Sequence, residues 1–524
     1  MKHILYKLNA LLCFIILLSS NLFAQIPSIQ WQKCYGGLGY DGANCICQTK
    51  DGGYLMGGYS TSTTGEVTGN HGSTDCWVLK TDISGNILWE KSYGGSNDEA
   101  IWGVLEDING GYFLAGQSRS NDGDVSVNHG SSDGWLIKTD DTGHIIWQYV
   151  LGSTGYDYFG SVINTPDSGY LVTGIAGAND GDVSGLTGLS GFWVIKITKT
   201  GVISWKKVYG GSGYDLGDYC INTNDNGFLI IGTTQGGGVV SGFHGATDAW
   251  VIKLNDTGGL VWNKAYGGSA YDNAISVFQK SNNDYVIGGY SNSNNGQVSG
   301  NHGFYDYWVY SINDTGKLLW EHSYGGSGID FFSGMHQTYD SGIIIAGQAE
   351  YLNGDVTCAG HTSTGGDDYW IIKTNDTGKI LWENCFGGSA DDTANGIVQT
   401  ADSGYAICGS TVSNNFDVSG NHGAADFWLL KLRKDPPLKV SQIKADPRIN
   451  VYPTLTNGLV YIDVPVDDKV AVFLTDMSGK KIDVDVLKTN NKTAIKINNL
   501  TDGVYILNVV YQGAVSSYKL VYKP

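Results

Sequence analysis

Charge is scarce in this chain, and positive charge scarcest. Of 524 residues only 16% are charged, and 32 Lys and Arg stand against 51 Asp and Glu, for a net charge of −19. Nucleic acids and anionic lipid surfaces are met through basic patches, so this balance argues against both as partners. Pro (8) and Met (4) are also few. Beyond the first two dozen residues no apolar run approaches the roughly 20 residues of a spanning helix, so no transmembrane anchor is expected. There is no Gly-x-Ser-x-Gly elbow, no His-Glu-x-x-His pair, no phosphate loop and no dinucleotide fingerprint. Cysteine is sparse and irregularly placed. Cys45 and Cys47 fall on one strand face, and the spacing reads as mostly free thiols, with any disulfide unassignable.

What the chain has is glycine (76), aromatics (12%) and a repeat. Trp31, Trp89, Trp147, Trp205, Trp262, Trp320 and Trp382 recur at intervals of 57, 58 or 62 residues, each followed by a Gly-Gly or Gly-Ser pair. A second set, Trp77, Trp135, Trp193, Trp250, Trp308, Trp370 and Trp428, keeps the same step, which leaves only Trp102 outside. Self-similarity at such a period marks a repeat architecture.

The second repeat shows how each unit folds. Ile101–Asp107 reads as a strand, Asn109-Gly110-Gly111 as a turn, and Tyr112–Ser118 as a second strand. A polar loop from Arg119 to Ser132 leads to a strand at Gly134–Thr139, a turn at Asp140–Gly143 and a fourth strand at Ile145–Leu151. Tight turns between short aromatic and β-branched runs signal antiparallel hairpins. Four strands repeated seven times predict an all-β, seven-bladed β-propeller of four-stranded blades. The repeats begin with an unpartnered Trp strand and end, at Phe427–Leu432, without one. Ile29–Tyr35 is therefore expected to complete the last blade and close the ring, which leaves no open edge. The turn before each outer strand, Asn255-Asp256-Thr257-Gly258 before Trp262 for example, resembles the tryptophan-docking motif of quinoprotein-like propellers. That resemblance implies an indole wedged against the neighbouring blade, not a quinone cofactor.

Two polar patterns recur. An acid, Asp41, Glu99, Asp157, Asp215, Asp272, Asp330 or Asp392, follows each glycine pair, where the outer strand of one blade crosses to the inner strand of the next. These seven are candidates for a binding ring at the channel rim. Their recurrence in every blade favours a local role instead, accepting backbone N–H bonds in their own loops. The long loop between second and third strands carries phrases such as Gly65–Gly72 and Gly296–Gly303, with His71, His129, His244, His302 and His422 as binding-face candidates. The third repeat has Gly188 and Gly191 where His and Asp are expected. Asp122, Asp124, Asn128 and Asp133 form the one calcium candidate, since calcium takes six to eight oxygens. Gln297 in place of an acid, and the lack of EF-hand spacing, favour loop-internal hydrogen bonding here too. One His per loop does not suit zinc. By strand direction the long loops and the crossovers share one face, where binding is expected.

The ends carry an address. Lys2 and Lys7 precede the apolar run Ala10–Leu18, and Ala24 follows Ser19-Ser20-Asn21-Leu22-Phe23, which fits a secretory signal cleaved before Gln25. After Lys434 the Trp repeat stops, and Asp435-Pro436-Pro437 and Asp446-Pro447 mark a linker. Strand-like runs at Leu459–Val464, Lys469–Thr475 and Gly503–Tyr511 then predict a small Ig-like β-sandwich. Its pieces are Val451-Tyr452-Pro453 with Asn457-Gly458, Leu474–Lys480, Leu500–Leu507 and Lys519–Lys523. Together they resemble the type A C-terminal sorting domain of proteins exported by the type IX secretion system. Thr454-Leu455 departs from the Asn-Pro usual in that family. The resemblance implies that residues 450–524 engage the secretion machinery, cross the outer membrane and are then removed, with the product released or held at the cell surface.

The expected domains are a signal peptide (1–24), a propeller (25–433), a linker (434–449) and the sorting sandwich (450–524). The expected function is a secreted, non-catalytic propeller without a cofactor that binds an extracellular glycan or protein. Two alternatives stand beside it: a polysaccharide-acting enzyme using rim carboxylates, and a purely structural surface component.

Overall fold

The computed structural model describes residues 26–358, 366–436, 449–463, 471–475, 481–482, 484–489, 492–497, 500–511 and 514–523. The expected signal segment and most of the expected linker lie outside these. The chain forms two compact units, residues 1–436 and 437–524.

The first unit holds seven four-stranded antiparallel sheets. Blade 1 runs outward through Asp41–Gln48, Tyr54–Ser60, Asp75–Thr81 and Ile87–Tyr93, and blade 2 through Glu99–Glu106, Tyr112–Ser118, Asp133–Thr139 and Ile145–Leu151. Blades 3 to 6 follow in the same order, with inner strands beginning at Tyr158, Asp215, Ser276 and Asp330. Blade 7 takes Asp392–Gln399, Tyr405–Thr411 and Asp426–Leu432 from the end of the repeats and its outer strand, Ile29–Tyr35, from the beginning. Cys34 pairs with Trp428 and Lys33 with Leu429, so the ring is closed by strands from both ends.

Burial follows position in the blade. Second and third strands are covered on both faces by neighbouring blades, so runs such as Asp248–Leu254 are buried throughout and read as continuous apolar sequence. Outer strands are half-buried. The second-set tryptophans are fully buried on the third strand. In five blades the indole N–H donates to the residue 13 positions on, including Glu90, Gln148 and Glu321, and in blade 7 it donates across the closure to Gln32 (2.8 Å).

The first-set tryptophans join blade to blade. Trp31, Trp89, Trp147, Trp205 and Trp262 each lie against a turn glycine of the next blade: Gly85, Gly143, Gly201, Gly258 and Gly316. Those glycines hold φ between 71° and 85°, and a methyl on Gly258 would come within 2.8 Å of the Trp205 ring. The turn thus needs glycine for its backbone and for the indole. Trp89 and Trp262 also donate to carbonyls in those turns, at 3.0 and 3.1 Å. Tyr35, Tyr93, Tyr266 and Tyr324 send their hydroxyls to the same turn glycines, the last to Gly378.

On the same short-turn face lies a second ring of contacts that the sequence did not announce. Lys80, Lys138, Lys196, Lys253, Lys373 and Lys431 are buried on third strands and reach Asp51, Asp107, Asp167, Asp225, Asp340 and Asp402 at 2.7–3.1 Å. Burial works against these carboxylates, yet the lysine and neighbouring hydroxyl and backbone donors outweigh it and hold Asp51, Asp167 and Asp225 at about 2. Blade 5 has Ser311 in the lysine position and Asn282 in its turn, so both partners are missing together.

The second unit has a four-stranded and a five-stranded sheet. Val460, Ile462 and Ile495 of one meet Leu474, Leu507, Val509 and Leu520 of the other in a common core. That is a small β-sandwich.

Candidate functional site

The long loops are rigid for local reasons. Six of the seven insert one valine, Val67, Val125, Val183, Val298, Val356 or Val418, which is at most 3% exposed. The Asn of the repeated phrase then ties the loop down: Asn301 donates to Ser291 O (2.8 Å) and accepts from Gly303 N (3.1 Å). The His follows. In His71, His129, His244, His302 and His422 both the backbone N–H and Nδ1 bond the Asp that opens the third strand, with Nδ1 distances of 2.6–2.9 Å. Those aspartates, Asp75, Asp133, Asp248, Asp306 and Asp426, are wholly buried, whereas the imidazoles keep 31–39% of their side-chain surface. The buried partner fixes Nδ1 as the bonded nitrogen and leaves Nε2 outward.

Where these imidazoles point, the blades part into grooves. Between blades 1 and 2 a groove of about 450 Å³ is lined by Thr68, His71, Lys91, Tyr93, Asp124 and Gly143. Between blades 7 and 1 a groove of the same volume is lined by Ser419, His422, Lys33, Tyr35, Glu66 and Gly85. The two sets correspond position by position in the repeat. His422 Nε2 stands 3.8 Å from Glu66 Oε1, so an imidazole edge and a carboxylate share the opening. Burial alone would lower the His422 pKa, but the Asp426 bond and the Glu66 charge raise it above its ordinary value. His244, Lys264, Tyr266 and Gln297 occupy the same repeat positions at the blade 4–5 junction, and His302, His322, Tyr324 and Asp355 at the blade 5–6 junction. The other junctions differ. Blade 3 lacks the His, and within it Lys206 of the outer strand pairs with Asp182 of the long loop at 2.9 Å. In blade 6 a disulfide, Cys358–Cys385, ties the long loop to the outer strand. Cys34, Cys45, Cys47, Cys76, Cys220 and Cys408 are free thiols.

The seven rim acids sit elsewhere. Asp41, Glu99, Asp157, Asp215, Asp272, Asp330 and Asp392 are at most 1% exposed. Each accepts the backbone N–H four residues earlier, as Asp41 does from Gly37 (2.7 Å) and Glu99 from Gly95 (2.8 Å). The corresponding donors to Asp157, Asp215, Asp272, Asp330 and Asp392 are Ser153, Gly211, Gly268, Gly326 and Gly388. Most take hydroxyls as well, Asp41 from Ser60 and Ser62 and Asp392 from Thr411 and Ser413. At Gly36, Gly94 and Gly325 the first residue of the glycine pair lies between this acid and the His-bound Asp of the preceding blade. A methyl on Gly36 would meet Asp41 Oδ2 at 2.5 Å and Asp426 Oδ1 at 2.6 Å. Enclosure and that like-charged neighbour work in the same direction. Burial first, then Asp306, pushes Asp330 up to about 7, and burial, opposed by its donors, pushes Asp392 up to about 6.

The calcium candidates are likewise engaged, within their loop and with the preceding crossover. Asp122 accepts from Ser96 N, Asp124 from Gly94 N, Asn128 from Gly130 N and Asp133 from His129. Among the described residues no three His, Cys, Asp or Glu side chains converge as a metal site would require. What the rim does expose is tyrosine. Tyr40, Tyr156, Tyr214 and Tyr271, each just before a rim acid, are 62%, 39%, 52% and 51% exposed. The signal for them was present, one position upstream of the acids the sequence reading chose.

No curated protein matches the chain in sequence. Among solved structures, a fungal alcohol oxidase of the AA5 family in complex with copper aligns at 12% identity over 95% of this chain and 100% of its own, with a TM-score of 0.43. The WD40 domain of Neurospora crassa Pan2 aligns at 10% identity over 75% and 89%, with a TM-score of 0.42. A Synechocystis apocarotenoid oxygenase variant aligns at 11% identity over 80% and 96%, with a TM-score of 0.39. Likeness at this level carries no argument, and the seven-bladed fold stands on the strand pairing itself. No helix among the described residues is long and apolar enough to cross a membrane. The C-terminal sandwich is different: residues 450–523 match the family described as the secretion system C-terminal sorting domain, which places on this chain the address for export by the type IX secretion system.

Proposed function

We propose that the exported protein is a non-catalytic binding propeller that holds an extracellular glycan in the grooves between its blades. The observation that carries this reading is the recurrence of one groove, with His, Lys, acid, Tyr and Ser or Thr at matching repeat positions, at the blade 7–1 and 1–2 junctions. Such a lining offers donors from lysine and imidazole and acceptors from the carboxylate, within reach of one small volume. It is too open and polar for an apolar cofactor, whose sites are mostly apolar and enclosed. It suits a polyhydroxylated unit that donates and accepts at once. A site repeated around a ring suits a ligand that itself repeats, because linked sites raise avidity without any new contact. The rim carboxylates support the enzymatic alternative poorly, since a general acid or nucleophile must reach substrate and these acids are enclosed.

The test is a glycan array probed with the mature propeller and with a variant carrying His71→Ala, His244→Ala, His302→Ala and His422→Ala. Retention of defined glycans by the wild type and their loss by the folded variant supports the reading. Indifference of every glycan bound to the four substitutions contradicts it.

A further inference from the structure

The channel holds one carboxylate that the repeat does not explain. Each inner strand of blades 1, 2, 3, 4, 6 and 7 has a bulge at its middle, where the register shifts by a residue. The bulge residues there are Asn44, Trp102, Gly160, Asp218, Ser333 and Asn395. Asn44 and Asn395 bridge to backbone carbonyls of the next blade, at 2.9 Å each. Trp102 is the tryptophan outside both repeat sets, and it is 41% exposed. Asp218 is the acid of the group.

Asp218 is bonded differently from the rim acids. It takes a single hydrogen bond, from Tyr158 Oη to Oδ1 at 2.8 Å, and no donor among the described residues reaches Oδ2. Enclosure by the channel wall pushes its carboxyl up to about 7, against the opposing effect of the Tyr158 bond. Its partner Tyr158 sits in an aromatic cluster. Trp102 lies 6.5 Å from Tyr158 between ring centres, Tyr156 stacks edge-on over Tyr158 at 6.1 Å, and the adjacent Tyr219 is 38% exposed. Gly160, facing Asp218 from blade 3, adds no side chain, and a methyl there would come 2.8 Å from Asp218 O. On the neighbouring blade 5, burial first and then the Asp218 charge hold the Tyr290 hydroxyl above its ordinary value. Asp218 is half-buried, so its free Oδ2 is open to a partner entering from the channel. Ring faces with a nearby carboxylate attract cations, organic ammonium groups above all.

The geometry points to a binding site for one organic ammonium group in the channel, contacted by Asp218 and walled by Trp102, Tyr158 and Tyr219. The exposed Tyr156, Tyr214 and Tyr271 line its entrance, and the protein's net negative charge steers cations toward it. The site is separate from the blade-junction grooves, and either can exist without the other.

The probes are choline and its uncharged isostere 3,3-dimethylbutan-1-ol, titrated calorimetrically into the full propeller. Saturable 1:1 binding of choline is expected, with the isostere at least tenfold weaker. Asp218→Asn should weaken choline at least tenfold and leave the isostere unchanged. Trp102→Leu, which keeps the carboxylate and serves if Asp218→Asn fails to fold, should weaken both. Absence of saturable choline binding, equal affinity for the isostere, or choline binding unaffected by Asp218→Asn or by Trp102→Leu overturns the proposal.

Discussion

Trp382 Nε1 donates to Asp435 Oδ1 at 3.0 Å, and Tyr405 Oη donates to Asp435 Oδ2 at 2.7 Å. At other junctions the docked indole meets a turn of the next blade. Blade 7 has no such turn, because its outer strand comes from the other end of the chain, and the residue leaving its third strand takes the place. Phe386 stands where five other blades have the tyrosine that reaches the turn glycine, which is absent here. Asp435→Ala removes an acceptor from two buried donors and should cost about 1–3 kcal/mol. Urea denaturation of the propeller should show the loss. A chain ending at residue 433 should be destabilised similarly relative to one ending at 436.

Ring closure makes a separate prediction. Without Ile29–Tyr35, Trp428 loses its Gln32 acceptor and the Asp426–Leu432 strand becomes an open edge. Trp31, one of the aromatics that bury roughly 150–250 Å² each, also leaves its seat on Gly85. A chain beginning at Gly36 should melt lower and aggregate more than one beginning at Gln25, since an unpaired edge recruits other strands. Equal melting and monodisperse behaviour would argue against closure.

The closing strand was legible because the repeat leaves one Trp strand over at the start and lacks one at the end. Loop limits in the second repeat, Arg119 to Ser132, were also readable, since polar and Gly-rich sequence ends sharply there. The Lys–Asp ring was not. Lys80 and Asp51 are far apart in sequence, and a lysine inside an apolar strand reads as an irregularity until the strand register brings its head to the neighbouring turn. The rim acids were visible as a pattern. Their burial was not, because a carboxylate in a Gly-rich loop has the same sequence whether its donors close over it or leave it open.

Stability should fall as pH rises from 5 to 8. Asp330 and Asp392 have folded pKa values of about 7 and about 6 against an ordinary 3.8. A carboxyl raised on folding favours the folded state while protonated, and that contribution is lost as pH rises through its folded pKa. His422, also raised, contributes below its ordinary 6.5 and loses that contribution above its folded pKa. Melting temperature across this range should decline, and less steeply in Asp330→Asn. A melting temperature that climbs with pH, or an unchanged slope in the variant, would contradict the assignment.

Deleting residues 450–524 should leave the propeller folded and stop export at the periplasm. The sandwich carries the sorting-domain match, and its core is formed by its own residues. Fractionation of the producing cells decides it, since normal surface or medium levels of the truncated protein would refute the sorting role.

The central claim, that one groove recurs around the ring and binds the same ligand each time, is tested most directly by stoichiometry. Native mass spectrometry of the mature propeller with a short oligosaccharide retained on the array should show more than one equivalent bound per chain. His71→Ala should remove one equivalent, and His71→Ala with His422→Ala should remove two. A single equivalent in the wild type, or a count indifferent to these substitutions, would contradict the account.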